Sequence, residues 1–187
     1  MSVKENLTAI LGELSGYADR LDCSQFSELI ACMLQARHIF LAGVGLSGLA
    51  MQGFAGRLMQ LGMSVSVVGD PTSPHTEPND LLIIGSGSGD TERMVMLANR
   101  TIGRRVQVAL LTMNPKADIA REATAVIVLP CVLPKLGYTQ PRFHSVESFD
   151  TAFEQMLCLV CDAIVLELMP LLHETLGSMC ERHADFE

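Results

Sequence analysis

Tryptophan is absent from the sequence, tyrosine occurs only twice, and 13 basic residues are outnumbered by 21 acidic ones. The formal net charge is therefore −8, whereas a protein that binds a phosphate backbone carries a basic stripe. We expect no nucleic-acid partner. Charged residues make up only 18% of the chain against 49% hydrophobic residues, and this balance excludes an intrinsically disordered protein.

Long apolar runs are also missing, since none reaches the roughly 18 residues that a membrane-spanning helix needs. The N-terminal segment carries Glu5 and Glu13 among its apolar residues, which is not typical of a signal peptide. We therefore expect no membrane partner and a cytoplasmic location. The six cysteines should then be reduced.

The length of 187 residues is typical of one domain with a sizeable core. Apolar residues at helical spacing over 4–21, and again after a candidate N-cap at Ser24, predict a helical arm over 1–36. Helical spacing returns in 145–187, where it predicts one long helix that ends at Pro170 and a last short helix over roughly 175–185. A stretch rich in proline and glycine precedes these helices and is typical of a linker.

The segment 37–130 has a different pattern, in which short apolar runs alternate with helical stretches. The predicted strands are 39–42, 64–69, 81–84, 106–111 and 125–129. Near-continuous apolar strands of this kind belong to a parallel sheet that is covered on both faces. The sequence predicts a single α/β domain over 1–187. Its core is a three-layer αβα sandwich with a five-stranded, flavodoxin-like parallel sheet, to which the arm and the C-terminal helices are added.

A glycine-rich turn, Gly43 to Gly48, follows the first predicted strand and has the form G-x-G-x-x-G. Asp70 lies at the end of the next strand, close to the position of a ribose contact in dinucleotide-binding proteins. A nicotinamide-dependent oxidoreductase is therefore one interpretation of this turn. The alternative is that the glycines only permit a tight connection between a strand and a helix.

A second turn, Ser86 to Thr91, follows the most apolar strand and leads into a helix. Its glycines let backbone N–H groups approach a ligand, and its hydroxyl groups add directional donors. The helix start contributes unpaired N–H groups and the positive end of the dipole. These features together are typical of a site for a phosphate monoester. A dinucleotide would leave this turn unused, whereas a sugar phosphate could use both turns.

Four segments resemble the SIS (sugar isomerase) domain family, namely Gly43–Gly48, Phe54–Gly62, Asp80–Ile84 and Ser86–Thr91. The resemblance covers nearly the whole chain, and the tail Glu181–Glu187 narrows it to the 6-phospho-3-hexuloisomerases. Such enzymes interconvert D-arabino-hex-3-ulose 6-phosphate and fructose 6-phosphate. The resemblance also implies a homotetramer whose sites lie between subunits. Moving the carbonyl group through an enediol requires no metal and no redox cofactor, so we expect neither.

The resemblance assigns roles to individual residues of this chain. It implies that the sugar phosphate is held by Ser47, Ser86, Ser88 and Thr91 and positioned by Arg57, Gly45 and Gly87. It also implies that Glu154 is the base and that His183, from another subunit, is the acid or a positioning group.

Several alternatives stay open at the level of the sequence. Arg57 is equally consistent with an ion pair at a helix edge, and His75 with a surface loop or the mouth of the site. Leu46 stands where the family usually has arginine, and the segments 70–76 and 131–153 also depart from its pattern, so the exact sugar stays open. A non-catalytic SIS module that binds a phosphosugar is the alternative function.

Overall fold

The computed structural model describes residues 2–131, 145–147 and 151–185. Seven α-helices, one 3-10 turn and five strands are present in this part of the chain. In chain order they are α1 (Val3–Ala18), a 3-10 turn (Cys23–Gln25), α2 (Phe26–Gln35), β1 (Ile39–Gly43), α3 (Leu46–Gln60), β2 (Val65–Val67), β3 (Leu81–Gly85), α4 (Glu92–Thr101), β4 (Gln107–Thr112), α5 (Asp118–Glu122), β5 (Ala125–Val128), α6 (Thr151–Leu171) and α7 (Leu176–Glu181).

The five strands form one parallel sheet with the order β2-β1-β3-β4-β5. This is the flavodoxin-like order, and it confirms the predicted fold class. The order reverses between β1 and β3, because the chain first moves outward to β2 and then crosses back to the other side of β1. A crevice opens at such a reversal point, at the carboxyl ends of the strands.

Two hydrophobic cores cover the two faces of the sheet. The larger core joins one face to α2, α3 and α6, and its fully buried members include Met51, Phe54 and Leu157. The smaller core joins the other face to α4 and α5 through Met94 and Ile119. Both faces of the sheet are therefore covered, which explains why β1, β3 and β4 are almost continuously apolar.

Helices α1 and α2 lie within the segment 1–36, and the start of the second helix differs from the prediction. Ser2 and Glu5 form a capping box at the start of α1. The predicted N-cap at Ser24 is wrong, because the carboxylate of Asp22 accepts hydrogen bonds from both the backbone N–H and the hydroxyl of Ser24. Asp22 thereby caps the 3-10 turn, and α2 begins only at Phe26.

Helix α6 is the long helix predicted near the C-terminus, and it ends one residue after Pro170. Most of the predicted linker before it lies outside the described residues. No helix in the described ranges is long and apolar enough to cross a membrane.

Candidate phosphosugar site

The two glycine-rich turns begin side by side at the carboxyl edge of the sheet. Gly43, the last residue of β1, lies opposite Gly85, the last residue of β3, in the parallel register of these strands. The turns therefore leave neighbouring strands at the same level, at the point where the strand order reverses. This is where ligands bind in open α/β sheets.

The first turn brings Ser47 into a helix start. Gly45 has a φ of 63° and is the N-cap of α3, which begins at Leu46. A Cβ atom on Gly43 would lie 2.9 Å from the backbone of Ser47 and Gly48, so this approach requires glycine. Ser47 lies in the first turn of α3 and is only 8% exposed.

The second turn forms a compact loop that is organised by its own hydroxyl groups. The buried Ser86 hydroxyl accepts a hydrogen bond from the N–H of Gly89 at 3.2 Å and lies 3.4 Å from the hydroxyl of Thr91. The Ser88 hydroxyl accepts the N–H of Asp90 at 3.2 Å. Thr91 is the N-cap of α4 but makes no capping hydrogen bond through its side chain. Among the residues that the structure describes, no side-chain hydrogen bond caps the first N–H groups of α4.

Two buried residues at the end of β4 hold this loop in place. The Thr112 hydroxyl donates to the carbonyl of Gly87 at 2.9 Å, and the Asn114 amide donates to the carbonyl of Ser88 at 3.1 Å. The same amide donates to the Asp90 carboxylate at 3.3 Å. Sequence reasoning assigned no role to Thr112 and Asn114. The available signal was the two polar residues, Thr112 and Asn114, that follow the apolar end of the predicted strand 106–111.

Glu154 lies close to this edge of the sheet. It occupies the first turn of α6 and is partly exposed. The preceding Phe153 packs against Gly87, where its ring would lie 3.2 Å from an added Cβ, and Leu157 lies in the same way against Gly85. The charge of Glu154 also reaches Cys158, whose thiol pKa is raised by burial and by the Asp162 and Glu154 carboxylates.

Arg57 and His183 line a different groove, of about 400 Å³, between α3 and α6. The Arg57 guanidinium donates to the Asp162 carboxylate at 3.3 Å. The neighbour of His183, Arg182, donates to the carbonyl of Gln60 at the far end of α3. From Ser47 to Gln60 the helix rises about 20 Å. The groove is also lined by Leu49 and Ala50, so it extends along α3 toward the helix start that carries Ser47.

Asp70 and His75 occupy different positions around the 69–80 connection. Asp70 lines a cavity of about 280 Å³ together with Gly43 and Gly48 of the first turn, so it lies where the dinucleotide interpretation requires it. His75 is 84% exposed and pairs with Glu77 at 3.2 Å. It borders a separate, largely apolar cavity. Within the described ranges, no group of three or more His, Cys, Asp or Glu side chains could hold a metal ion.

Comparison with known proteins tests the predicted family. The SIS domain family model matches residues 33–152. A 3-hexulose-6-phosphate isomerase of Bacillus subtilis (strain 168) is 34% identical over the full length of both chains. One of Mycobacterium gastri is 31% identical, covering 99% of this chain and 92% of the relative.

Among solved structures, a Methanococcus jannaschii protein with an inferred function of 3-hexulose-6-phosphate isomerase superposes with a TM-score of 0.82. It is 25% identical, and the match covers 98% of this chain and 99% of that one. These similarities confirm the family that the two turns and the tail predict. The chain belongs to the SIS domain family and is related along its full length to proteins named 3-hexulose-6-phosphate isomerase.

Proposed function

We propose that this protein is a sugar-phosphate isomerase that interconverts D-arabino-hex-3-ulose 6-phosphate and fructose 6-phosphate. The observation that carries this proposal is the adjacency of the two turns, because Gly43 and Gly85 are register partners. Serine hydroxyls and helix N–H groups then converge on one crevice. The full-length relationship to 3-hexulose-6-phosphate isomerases supports the same substrate.

The phosphate of the substrate binds between the turns. Ser47 contributes from the start of α3, while Ser86, Ser88 and Thr91 contribute from the loop before α4. Both helix starts present N–H groups and a positive dipole end to the dianion. Thr112 and Asn114 fix the loop from behind, so its donors do not reorganise when the ligand arrives.

Glu154 carries out the proton transfer on the linear sugar. Its carboxylate removes the proton from C2 of the 3-ketose, which gives a 2,3-enediol, and returns it to C3. The hydroxyl proton moves from O2 to O3, so the carbonyl group shifts from C3 to C2. The two carbons exchange oxidation states within one molecule, and no external oxidant is consumed.

His183 acts in the site of a neighbouring subunit of a homotetramer. In its own chain it lines the groove beside α3 and follows Arg182, which donates to the carbonyl of Gln60 at the end of that helix. Exposed apolar side chains along α1 and α6 support contacts with other copies. They are Val3, Leu7, Leu11, Leu159 and Leu166. We further propose a single domain, residues 1–187, that works in the cytoplasm.

The dinucleotide alternative rests on Asp70, which lines a cavity beside the first turn. A dinucleotide bound at the first turn would make no use of the hydroxyl groups of the second turn. A phosphosugar-binding module without catalysis would use both turns but would not need Glu154. The three alternatives therefore differ in the ligand they bind and in whether it turns over.

Thermal unfolding and an isomerisation assay together test the proposal. A ligand that binds the folded state raises the unfolding midpoint according to its concentration over its dissociation constant. We expect fructose 6-phosphate to raise it and NAD to leave it unchanged. Turnover of D-arabino-hex-3-ulose 6-phosphate, measured within a panel of hexulose and pentulose phosphates, then separates an isomerase from a binding module. Protection by NAD alone, or no turnover of any ketose phosphate, would contradict the proposal.

A further inference from the structure

A polar cavity of about 280 Å³ adjoins the first turn at the carboxyl ends of β1 and β2. Gly43 and Gly48 form one wall, so the cavity shares its boundary with the turn that carries Ser47. Arg93, from the first turn of α4, also lines the cavity. The cavity therefore connects the two helix starts between which the phosphate is proposed to bind.

Arg93 is exposed in the first turn of α4, a position that the helix dipole disfavours for a cation. The N-terminus of a helix carries a partial positive charge, and a cation in the first turn is repelled by it. Arg93 makes no hydrogen bond and no ion pair with any residue that the structure describes, although Asp70 lines the same cavity. Its guanidinium lies over Gly69, where Nη2 is 3.7 Å from the position of an added Cβ. Within the described ranges, no side chain therefore pairs with the charge of Arg93, which is exposed to solvent.

A dianion between the turns would compensate it. We propose that Arg93 is a further substrate-binding residue, whose guanidinium moves from Gly69 to the phosphate and donates two hydrogen bonds to it. Thr91 is the N-cap of α4 and Arg93 is its second residue, so both belong to the helix start that follows the second turn. The planar guanidinium suits two oxygens of a phosphate, and such charge-assisted bonds are strong. This inference rests on the proposed function, because it places the phosphate at the second turn.

Substitution of Arg93 tests the inference. We expect Arg93→Gln to raise KM for fructose 6-phosphate about tenfold, the loss expected for a hydrogen bond to a charged group. The kcat should stay within about threefold, because this contact is made equally in the ground and transition states. The rise in unfolding midpoint caused by inorganic phosphate should disappear. Arg93→Lys should recover part of the substrate affinity and part of the protection by phosphate, since lysine keeps the charge but lacks the planar group that donates two hydrogen bonds.

Arg100→Gln is the control, because Arg100 is exposed on the same helix but lines the neighbouring apolar cavity. It should leave KM and the protection by phosphate unchanged. Arg93→Gln should be at least as stable to urea as the wild type, since it removes a cation from a helix N-terminus.

Two outcomes separate this inference from the proposed function. In the first outcome, the wild type isomerises the hexulose phosphate, but Arg93→Gln has the same KM and the same phosphate protection as Arg100→Gln. The inference about Arg93 is then overturned, and the proposed function stands. If no ketose phosphate is turned over but Arg93→Gln still abolishes protection by phosphate, the proposed function fails and the assignment of Arg93 stands.

Discussion

Gly43 and Gly85 are partners in the register of β1 and β3, so the two turns that carry the serines of the site begin next to each other. The strand order places this pair at the reversal point of the sheet. Two segments that lie about 40 residues apart in the sequence thereby form one crevice. The account of function depends on this adjacency, because neither turn alone surrounds a phosphate.

The first prediction concerns the contribution of the Ser86 hydroxyl to phosphate binding. This hydroxyl is buried in the second turn, where it accepts the N–H of Gly89. Ser86→Ala should weaken fructose 6-phosphate binding about tenfold, because a hydrogen bond to the charged ester is lost. A titration of the unfolding midpoint with the sugar phosphate measures this. Ser27→Ala, on the exposed face of α2, should bind as the wild type does. Equal binding by the two variants would place the phosphate elsewhere.

The second prediction concerns His38, which joins β1 to the edge strand β2. Its ring nitrogens lie 2.7 Å from the Ser64 hydroxyl and 2.9 Å from the Ser66 hydroxyl. Burial lowers the pKa of His38, Asp80 raises it, and Arg37 lowers it, with a net decrease from 6.5. Below pH 6.5 the unfolded chain therefore binds more protons at this position than the folded chain. The stability linked to His38 is complete above pH 6.5 and is lost as the pH falls toward the lowered pKa.

Urea unfolding between pH 7.5 and 5.5 measures this effect. The loss of stability on acidification should be smaller in His38→Gln than in the wild type. His75→Gln changes a histidine that is 84% exposed, and it should keep the pH dependence of the wild type. If His38→Gln and the wild type show the same dependence, the ring does not titrate as the structure indicates.

The parallel sheet, its strand order and the two turns could be predicted from the sequence, because apolar strands and glycine-rich turns are local signals. The sequence was insufficient for Thr112 and Asn114, whose hydrogen bonds to the second turn depend on the pairing of β3 with β4. The cap at Asp22 was missed because Asp22 and Ser24 are both good N-cap residues, and only the hydrogen bonds decide between them. The position of His183 in the groove beside α3 likewise follows from packing that no local pattern contains.

Arg182 gives the third prediction, since it fixes the C-terminal tail. Its guanidinium donates to both carboxylate oxygens of Glu174, at 2.8 and 2.7 Å, and to the carbonyl of Gln60. Arg182→Ala should accelerate amide hydrogen exchange in α7 roughly tenfold and reduce turnover, because His183 loses its position. Arg121→Ala, which removes an exposed pair with Asp118 on α5, is the control and should change neither. Unchanged exchange in Arg182→Ala would show that the tail is held by other contacts.

The same ion pair has a defined dependence on pH. Hydrogen bonds from Arg182 and Ser178 lower the pKa of Glu174 from 4.5. The stabilisation is therefore present above pH 4.5 and is lost as the pH falls through the lowered value. The difference in α7 exchange between the wild type and Arg182→Ala should shrink in the same range.

The fourth prediction concerns the sharing of sites between subunits. Glu154→Gln and His183→Ala should each lose activity, whereas oligomers reassembled from a mixture of the two should regain part of it. Some sites in the mixture combine Glu154 of one chain with His183 of another. The control is the double variant, which carries both substitutions. A mixture of the double variant with either single variant should regain no activity, because every chain then lacks the same residue. Mixed oligomers without restored activity would show that His183 does not complete a neighbour's site.

The central claim is that Glu154 transfers the proton on a sugar whose phosphate is held by the two turns. The most direct measurement is the conversion of D-arabino-hex-3-ulose 6-phosphate to fructose 6-phosphate by the wild type, Glu154→Gln and Glu167→Gln, the last being an exposed position on the same helix. Glu154→Gln should lower kcat by at least about a hundredfold, with fructose 6-phosphate binding unchanged and Glu167→Gln fully active. A Glu154→Gln variant that turns over as fast as Glu167→Gln would contradict the account.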